Sequence, residues 1–531
     1  MSKSIKIFLL IYNFVFILFL ISNIFDFDFG WHLRFGKEWL ENGFFPYLDS
    51  YTYAHLGQLW INHEWGGDLL WWILYKNIGF YAIVFLTAFL IWSSFLIAQK
   101  AYSRYNLPAA LVTVFLIWGS GHIFAPRLAM FSLFFFALIF YSLKNIELNK
   151  FYRFWPLIFW LWAALHGSFT LGFIIIGIYF FGNLLNTFFL HYYPALSLGT
   201  AWKKETFYKI IIWGLLSVLV IFINPYGWHL YYEVISYFFY DFYKSYITEW
   251  VNSFTYPIYW QTGFIFAPAI VAVFWQVKKK IFSWGELLLF IGLFYASLKH
   301  KRQVVYLALF CQPLFTIFLE KAIIDLKKTW KFLETKKVKI FLFTSTLILF
   351  IYPFTFYLSN IKIYKNVWAN LPKITNYYPY QAVDFLKNEI KNQPKPIKVF
   401  NEFGWGAYFN WVLPEALIFF DGRGTATWKI QKETTTTLEF YYDLIYKENK
   451  LPLIEKQGVH YIFLENMENY HPNINKANKW LFSSAALKHA TEVAPILLED
   501  SLRQSENWKL IYTDYRANIW KFMPTTPPET K

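Results

Sequence analysis

The sequence contains little charge and almost no cysteine. Asp, Glu, Lys and Arg make up only 16% of the 531 residues, whereas 57% are hydrophobic and 24% are aromatic. Because soluble globular proteins contain about 25% charged residues, this composition excludes an ordinary soluble domain and predicts a chain that crosses a membrane several times. The single cysteine, Cys311, lies inside an apolar run. No disulfide can therefore form within the chain, and we expect a small buried apolar side chain there.

Acidic residues are outnumbered, 34 against 49 basic residues, which gives a formal net charge of +15. Basic proteins often bind nucleic acid, but here the lysines cluster in short segments between apolar runs, where they orient helices across a bilayer. We therefore expect no nucleic acid partner. The N-terminal apolar run lacks the cleavage pattern of a signal peptide and exceeds its usual length, so it is predicted to remain as the first transmembrane helix.

Apolar runs long enough to cross a bilayer recur throughout the first 358 residues. Runs of about 16 to 21 residues are interpreted as spans, and the longest, 69–98, allows a break at Asn77-Ile78-Gly79. Eleven transmembrane helices are predicted, near residues 5–24, 69–98, 107–121, 128–146, 154–166, 168–190, 208–224, 259–276, 284–298, 303–321 and 338–358.

Basic residues occur mainly in alternate connections between these spans, which assigns those connections and the N-terminus to the cytoplasm. The connections on the outer side then contain nearly all the polar residues that membrane insertion does not explain. Polar clusters on one side of a helical bundle indicate a site that faces that compartment. We expect a multi-pass protein of the plasma membrane, in contact with membrane lipids.

The composition changes after Ser359, where Asn, Lys, Glu, Thr and Pro become more frequent. Short apolar runs, K-V-F, A-L-I-F-F, H-Y-I-F-L and W-K-L-I-Y, are separated by helix-like segments, which is typical of an α/β domain with a small sheet. The predicted fold class is an α-helical polytopic membrane protein with a C-terminal extracytoplasmic α/β domain. The predicted regions are a transmembrane domain at 1–358 with outer loops 25–68 and 224–258, a linker at 359–365, the α/β domain at 366–522 and a disordered tail at 523–531.

The first outer loop begins with an unusual polar stretch, F-D-F-D-F-G-W-H-L-R-F-G at residues 25–36. If this stretch is helical, Asp28 and His32 share a face, since they are four residues apart. A carboxylate there could bind a cation or accept a proton from a nucleophile, and Arg34 could pair with a phosphate. The alternative is an interfacial cluster of salt bridges that caps the first helix.

The same loop continues through an amphipathic helix that ends at Asn42-Gly43 and reaches W-I-N-H-E-W-G-G-D-L-L. His63 and Glu64 do not form the H-E-x-x-H motif of zinc proteases, because position 67 is glycine. They are candidates for a binding site, and the alternative is polar anchoring at the start of the second span.

D-F-G-W-H-L-R, followed by F-P-Y-L-D-S-Y-T-Y and W-x-x-H-E-W, resembles the first outer loop of the GT-C superfamily, in particular that of the oligosaccharyltransferase catalytic subunit. These enzymes are polytopic glycosyltransferases that use polyprenyl-phosphate-linked sugars. Y-K-S-Y-I-T-E-W in the outer segment 224–258 is similar to the family's Thr/Ser-x-x-Glu motif. The matching positions in this chain are Asp28, His32, Arg34, Asp49, Tyr51 and Glu249.

Other segments of the chain depart from the oligosaccharyltransferase pattern. Residues 401–404 read N-E-F-G where the family has the Trp-Trp-Asp of its acceptor motif, so a reader of N-glycosylation sequons is not expected. The second acidic pair of the family is also missing from the next outer loop. The divalent metal that the resemblance implies, Mg or Mn with Asp28 as a ligand, is therefore less secure, and protein-mannosyltransferase-like enzymes of the superfamily work with a first-loop acid and no metal.

Basic and imidazole groups are predicted at the outer ends of several spans. In GT-C proteins these ends surround the pocket for the lipid phosphate, so the resemblance implies substrate-binding roles for them. For each residue the alternative is a side chain that extends to the lipid headgroups. The candidates are His122, Arg127, His166, Lys301 and Arg302.

The sequence and the resemblance together predict a membrane glycosyltransferase. It would move a sugar or oligosaccharide from a polyprenyl-phosphate-linked donor to a protein, glycan or lipid acceptor on the outer face. Asp28 would act as base or metal ligand, and Glu249 would order the loop that closes over the donor. A transporter or flippase would require polar residues at mid-membrane depth, which the runs largely lack. A non-catalytic assembly protein would not require Asp28, His32 and Arg34 together.

Overall fold

The computed structural model describes residues 3–21, 28–102, 105–239, 250, 253, 260–329, 378–424, 427–430, 435–447, 450–466 and 497–524. This part of the chain is mostly helical and contains one sheet. The chain forms two compact units. The first comprises Met1–Ile24, Gly79–Leu230 and Ile247–Tyr364, and the second comprises Phe25–Ile78, Tyr231–Tyr246 and Lys365–Lys531.

Among its described residues, the first unit contains helices and connecting turns but no strand. Its helices are α1 Lys3–Ile21, α4 Phe80–Lys100, α5 Leu107–Ser120, α6 Ala129–Lys144, α7 Trp155–Leu165, α8 Thr170–Tyr192, α9 Lys204–Ile221, the start of α10 His229–Ser236, α11 Trp260–Lys278, α12 Trp284–Lys299 and α13 Val304–Thr329. Among the described residues, three helical segments are long and apolar enough to cross a membrane, Phe80–Lys100, Gly167–Tyr192 and Lys301–Leu326. The predicted total of eleven spans remains a prediction, and the run 338–358 lies outside the described residues.

Hydrogen bonds between polar side chains join helices of the first unit, and glycines allow some of these helices to pack closely. The Gln312 amide donates to Thr113 Oγ1 at 3.1 Å, and Thr316 Oγ1 donates to Gln99 Oε1 at 3.1 Å, so α13 is bonded to both α5 and α4. A Cβ on Gly182 would collide with the backbone of Gly285, which brings α8 and α12 into backbone contact. Small residues and interhelical hydrogen bonds are typical of packing inside membranes.

The long apolar run 69–98 is interrupted where the sequence allowed a break. Helix α3, Trp65–Asn77, ends just before this break, and Gly79 adopts a φ of 98°, a conformation that favours glycine. Helix α4 begins at the next residue, so the run forms one helix of the second unit and one of the first.

The second unit contains the only sheet among the described residues. Its helices are α2 Phe29–Asn42, α3 Trp65–Asn77, most of α10, α14 Tyr380–Ile390, α15 Gly406–Val412, α16 Thr437–Tyr446, α17 Leu451–Lys456 and α18 Leu497–Gln504. Its strands are β1 Ile397–Asn401, β2 Ala416–Ile418, β3 Tyr461–Glu465, β4 Trp508–Thr513 and β5 Ala517–Phe522. The four predicted strands are confirmed, whereas β5 was not predicted.

The strand order is β2-β1-β3-β5-β4. Strand β1 runs parallel to β2 and β3, and β5 runs antiparallel to β3 and β4. Apolar side chains of the strands alternate between two clusters, one formed with α14 and α15 and the other with α16, α17 and α18. The sheet is therefore covered on both faces, as its buried strands require.

The first outer loop joins the free edge of this sheet. The Tyr53 N–H donates to the Ile418 carbonyl at 2.9 Å, and the Ile418 N–H donates to the Tyr51 carbonyl at 3.1 Å. Helix α2 packs beside α15 at close range, because a Cβ on Gly30 would overlap the Ala407 carbonyl oxygen. These contacts bring residues 28–64 next to the segment that follows β2.

Candidate active site

The segment that follows β2 is the turn D-G-R-G, residues 421–424, which we call the DGRG turn. Arg423 lies inside it with its guanidinium fully buried. Its Nε donates to both oxygens of Asp421 at 2.9 and 2.8 Å, and its Nη2 donates to Asp49 Oδ1 at 2.8 Å. Burial would lower the pKa of Arg423, but the two carboxylates raise it. The charged pairs lock the turn onto the first outer loop.

Asp49, a predicted substrate-binding residue, is itself held by the protein. It accepts hydrogen bonds from the Tyr51 N–H at 3.1 Å and from the Thr52 hydroxyl, beside its pair with Arg423. Burial alone would raise the pKa of Asp49, but these donors outweigh burial and lower it. Asp49 is only 1% exposed, so it fixes the turn from within.

Asp28 lies against the outer surface of the DGRG turn. It occupies the N-cap position of α2, and its Oδ1 accepts a hydrogen bond from Trp31 Nε1 at 3.1 Å. A Cβ on Gly422 would collide with the same Asp28 oxygen. The glycine therefore permits the close approach of this half-buried carboxylate.

Glu233 and Tyr237 of the outer segment reach the same turn at Gly424. A Cβ on Gly424 would collide with the Tyr237 hydroxyl and would lie 3.4 Å from Glu233 Oε1. Gly424 also has a φ of 97°, which favours glycine. Glu249, the residue of this segment that the sequence predicts to be functional, lies outside the described residues. Glu233 has no sequence signal of its own, because its neighbours here are about 190 residues away in the chain.

His32 forms a buried network with residues in the first turn of α3 and just before it. Its Nδ1 lies 2.6 Å from Asp68 Oδ1, and its Nε2 lies 3.8 Å from Glu64 Oε2. The other Asp68 oxygen accepts a hydrogen bond from the Asn62 amide at 2.6 Å. Complete burial raises the pKa of Asp68, although His32 and Asn62 act in the opposite direction. Asp68 and Asn62 were not selected from the sequence, although both lie in the quoted W-I-N-H-E-W-G-G-D stretch.

Arg34, proposed from the sequence to pair with a phosphate, is bonded within the second unit. Its Nε donates to Glu38 Oε1 at 2.9 Å, and its Nη1 donates to the Asn410 carbonyl at 3.2 Å. Its guanidinium carbon lies 4.0 Å from the centre of the Tyr51 ring. Arg34 is 9% exposed, and these contacts join α2 to α15.

His63 lies near the Glu233 side of the turn. Its ring centre is 5.6 Å from that of Tyr237. Burial, with a smaller effect of His32, lowers the pKa of His63 to about 4. His63 is therefore neutral at physiological pH, and its buried Nδ1 has no hydrogen-bond partner among the described residues.

In the first unit, His166 and Arg302 are linked through Ser132 and Tyr306. His166 Nδ1 accepts the Ser168 N–H at 3.2 Å, which makes it an acceptor for the Ser132 hydroxyl at 2.8 Å. Tyr306 is hydrogen-bonded to Ser132 and interacts electrostatically with Arg302. These polar groups form a connected cluster at the ends of α6, α7 and α13.

Arg302 lies against an aromatic ring of the outer segment 224–258. Its guanidinium carbon is 4.6 Å from the centre of the Trp250 ring, a cation–π contact. Lys301 is 6% exposed, and Arg127 is half-buried at the turn before α6. The side chain of His122 lies outside the described residues.

Among the described residues, no group of three or more His, Cys, Asp or Glu side chains could hold a metal ion. The described residues alone therefore do not form the divalent metal site that the resemblance implied.

The described part of the chain combines apolar helices, a helical first outer loop and an α/β region after the last helices of the first unit. No protein-family model and no curated protein matches the chain. Solved structures do match it, among them structures of the Archaeoglobus fulgidus oligosaccharyltransferase. The predicted resemblance to this kind of enzyme is confirmed at the level of the fold.

The similarity extends over most of both chains. The structure tethered with an acceptor peptide containing the NVT sequon has a TM-score of 0.54 and 13% identity, over 88% of this chain and 70% of that one. The apo form has a TM-score of 0.53 with the same identity and coverage. A complex with Zn and sulfate aligns at 0.46 and 12% identity, over 87% of this chain and 68% of that one, which is too weak for an inference. At such identities the likeness establishes the fold, and function must be argued from the site.

Proposed function

We propose that the protein is an integral membrane glycosyltransferase. It moves a sugar or oligosaccharide from a polyprenyl-phosphate-linked donor to a protein, glycan or lipid acceptor on the outer face of the plasma membrane. The observation that carries this proposal is the position of Asp28, whose carboxylate lies against the DGRG turn at a glycine that leaves it room. A half-buried carboxylate at the start of a helix, beside a turn fixed by buried ion pairs, is a suitable group to contact an acceptor.

The reaction requires activation of the acceptor and stabilisation of the leaving phosphate. Asp28 hydrogen-bonds the attacking hydroxyl or amide and orients it toward the anomeric carbon of the sugar. Asp49, Arg423 and Asp421 keep the turn in place, and His32 with Asp68 supports the first helical turns of α2.

The phosphate of the donor requires cationic partners. Arg302 is the proposed ligand, because its guanidinium stacks on Trp250 and belongs to the polar cluster of His166, Ser132 and Tyr306. Arg34 is less suited than Arg302, since three of its nitrogens already donate within the second unit. Glu249 is retained as the acidic residue that orders the outer segment over the donor.

The α/β region is proposed to face the acceptor through residues 401–424. This range contains the end of β1, helix α15 and the DGRG turn, so it includes the glycine that receives Asp28. Since the Trp-Trp-Asp motif is absent, we propose that the acceptor differs from an N-glycosylation sequon.

Purified protein in liposomes, supplied with a radiolabelled hexose linked to polyprenyl phosphate, tests this function. We expect the label to leave the lipid and to appear in a product, either with an added membrane extract as the source of acceptor or with water. Movement of intact labelled lipid between the leaflets, without loss of the sugar, would contradict the proposal and identify a flippase.

A further inference from the structure

We propose that Glu233 is a second catalytic carboxylate of this site and takes the proton that the acceptor loses, a role that rests on the proposed glycosyltransferase activity. The DGRG turn receives one carboxylate at Gly422 and another at Gly424. These glycines are two residues apart, so about 7 Å at most separates the points at which Asp28 and Glu233 reach the backbone. An acceptor group placed on this turn would have a carboxylate on each side.

Two donors orient the Glu233 carboxylate. The Tyr237 hydroxyl, one helical turn further along the outer segment, and the Trp428 indole N–H both donate to it. An ionised carboxylate has about four acceptor positions, so capacity remains for a hydrogen bond from the acceptor. Trp428 lies shortly after the DGRG turn, and its contact fixes Glu233 to the same segment that holds Asp28 in place.

The protonation equilibrium of Glu233 supports this role. Burial raises its pKa to about 7, although the hydrogen bonds from Tyr237 and Trp428 lower it. A general base works best with a pKa near the working pH. The other titratable groups around the turn are Tyr237, Asp28 at the start of α2 and Arg423 within the turn. His63, whose ring lies against Tyr237, is neutral at physiological pH.

The proposed step conserves atoms and charge. The acceptor oxygen or nitrogen forms a bond to the anomeric carbon, while the bond from that carbon to the phosphate oxygen breaks. The bonding electron pair leaves with the polyprenyl phosphate, and the proton of the acceptor passes to the Glu233 carboxylate. Asp28 holds the acceptor during this step, and Glu233 releases the proton to solvent afterwards.

The test compares Glu233→Gln with Glu233→Asp in liposomes that contain radiolabelled hexose on polyprenyl phosphate. We expect Glu233→Gln to lower kcat on the order of 100-fold, with little change in the KM for the donor. Glu233→Asp should retain part of the rate. Glu506→Gln, an exchange of the same kind at an exposed position, should transfer at the wild-type rate.

The pH profile separates a catalytic role from a structural one. The wild-type rate should rise with pH through about 7, and Glu233→Gln should lose this rise. Tyr237→Phe should move it to higher pH, because one donor that lowers the pKa of Glu233 is removed. A Glu233→Gln variant that keeps the wild-type kcat, or that is slower but keeps the rise near pH 7, would overturn the assignment.

Comparison of wild type with Asp28→Asn separates the failure of the Glu233 role from the failure of the glycosyltransferase function. If wild-type protein transfers sugar, Asp28→Asn does not, and Glu233→Gln is unaffected, only the role of Glu233 fails. If wild-type protein leaves the labelled donor intact, the glycosyltransferase function fails and no proton acceptor is required.

Discussion

Arg423 shows most directly how single residues hold this site together. Its guanidinium lies between two buried carboxylates and against the rings of Tyr51 and Trp60, at 4.2 and 4.5 Å from their centres. Removing one partner of a buried ion pair costs about 3–5 kcal/mol, because the remaining charge is left without compensation. Replacing Arg423 would leave both Asp49 and Asp421 buried without their cationic partner.

We therefore predict that Arg423→Met strongly destabilises the second unit, by about 3–5 kcal/mol. Thermal unfolding in detergent should show a much lower midpoint. Arg503→Met is the matched control, since Arg503 pairs with Glu499 while its side chain is 44% exposed, and it should cost about 1 kcal/mol or less. Equal midpoints for the two variants would contradict the assignment of Arg423 as the buried centre of the turn.

Glu402 predicts a pH dependence of stability in the α/β region. Burial, together with the nearby Glu465 carboxylate, raises the pKa of Glu402 from 4.5 to about 7. Between about pH 4.5 and 7 the folded protein then binds more protons than the unfolded chain, so the free energy of unfolding falls as pH rises across this window. The full effect is at most about 3 kcal/mol.

The measurement is the thermal midpoint of wild type and Glu402→Gln at pH 5 and pH 8. The variant has no titrating group at this position. The thermal midpoint of the variant minus that of wild type should therefore increase from pH 5 to pH 8. Glu506→Gln, at an exposed position, should follow the wild-type profile. A constant difference between Glu402→Gln and wild type across the range would rule out the raised pKa as the cause.

Candidate residues could be selected from the sequence, but their contacts could not be predicted from it. Asp28 could be selected because His32 and Arg34 follow it at the spacing found in the GT-C first outer loop that this stretch resembles. The pairing of His32 with Asp68, and of Arg34 with Glu38 and Asn410, depends on how α2 packs against α3 and α15. Glu233 could not be selected, since its environment is created by residues far away in the chain.

At the scale of elements, the DGRG turn is where the first outer loop and the outer segment reach the α/β region. Gly422 has backbone angles that other residues can adopt, so its requirement for glycine comes from the contact with Asp28. A side chain at this position must displace the carboxylate. Displacement of a catalytic group by about 1 Å can cost on the order of 100-fold in rate.

Gly422→Ala is therefore predicted to lower sugar transfer on the order of 100-fold. Gly292→Ala in α12 is the control, because a Cβ there meets nothing within 4 Å, and its transfer rate should match wild type. Transfer rates with the radiolabelled donor give the comparison. Full activity of Gly422→Ala would show that the contact between Asp28 and the turn is not required.

The elements themselves were largely predictable. The helix ending at Asn42-Gly43, the break at Gly79 and the first four strands follow from glycine positions and apolar runs. Strand β5 was missed because Ala517–Phe522 contains Asn and Lys and follows β4 after a short turn, so its apolar pattern is weak. The bonding of residues 51–53 to the edge of β2 had no signal in the sequence, since it joins segments about 365 residues apart.

At the scale of the whole molecule, the amino-acid composition was enough to predict a membrane protein. A chain with 57% hydrophobic and 16% charged residues can fold only if many helices are buried in lipid or in each other. The overall likeness to the Archaeoglobus fulgidus oligosaccharyltransferase at 13% identity shows that this architecture persists where few residues are shared.

The central claim is that the carboxylate of Asp28 contacts the acceptor during sugar transfer. The most direct measurement is the transfer of radiolabelled hexose from polyprenyl phosphate by wild type and Asp28→Asn, with Asp384→Asn at an exposed position as the control. We predict that Asp28→Asn is folded in the membrane, binds the donor and loses at least about 100-fold of the transfer rate, whereas Asp384→Asn transfers normally. Wild-type turnover by Asp28→Asn would contradict the account.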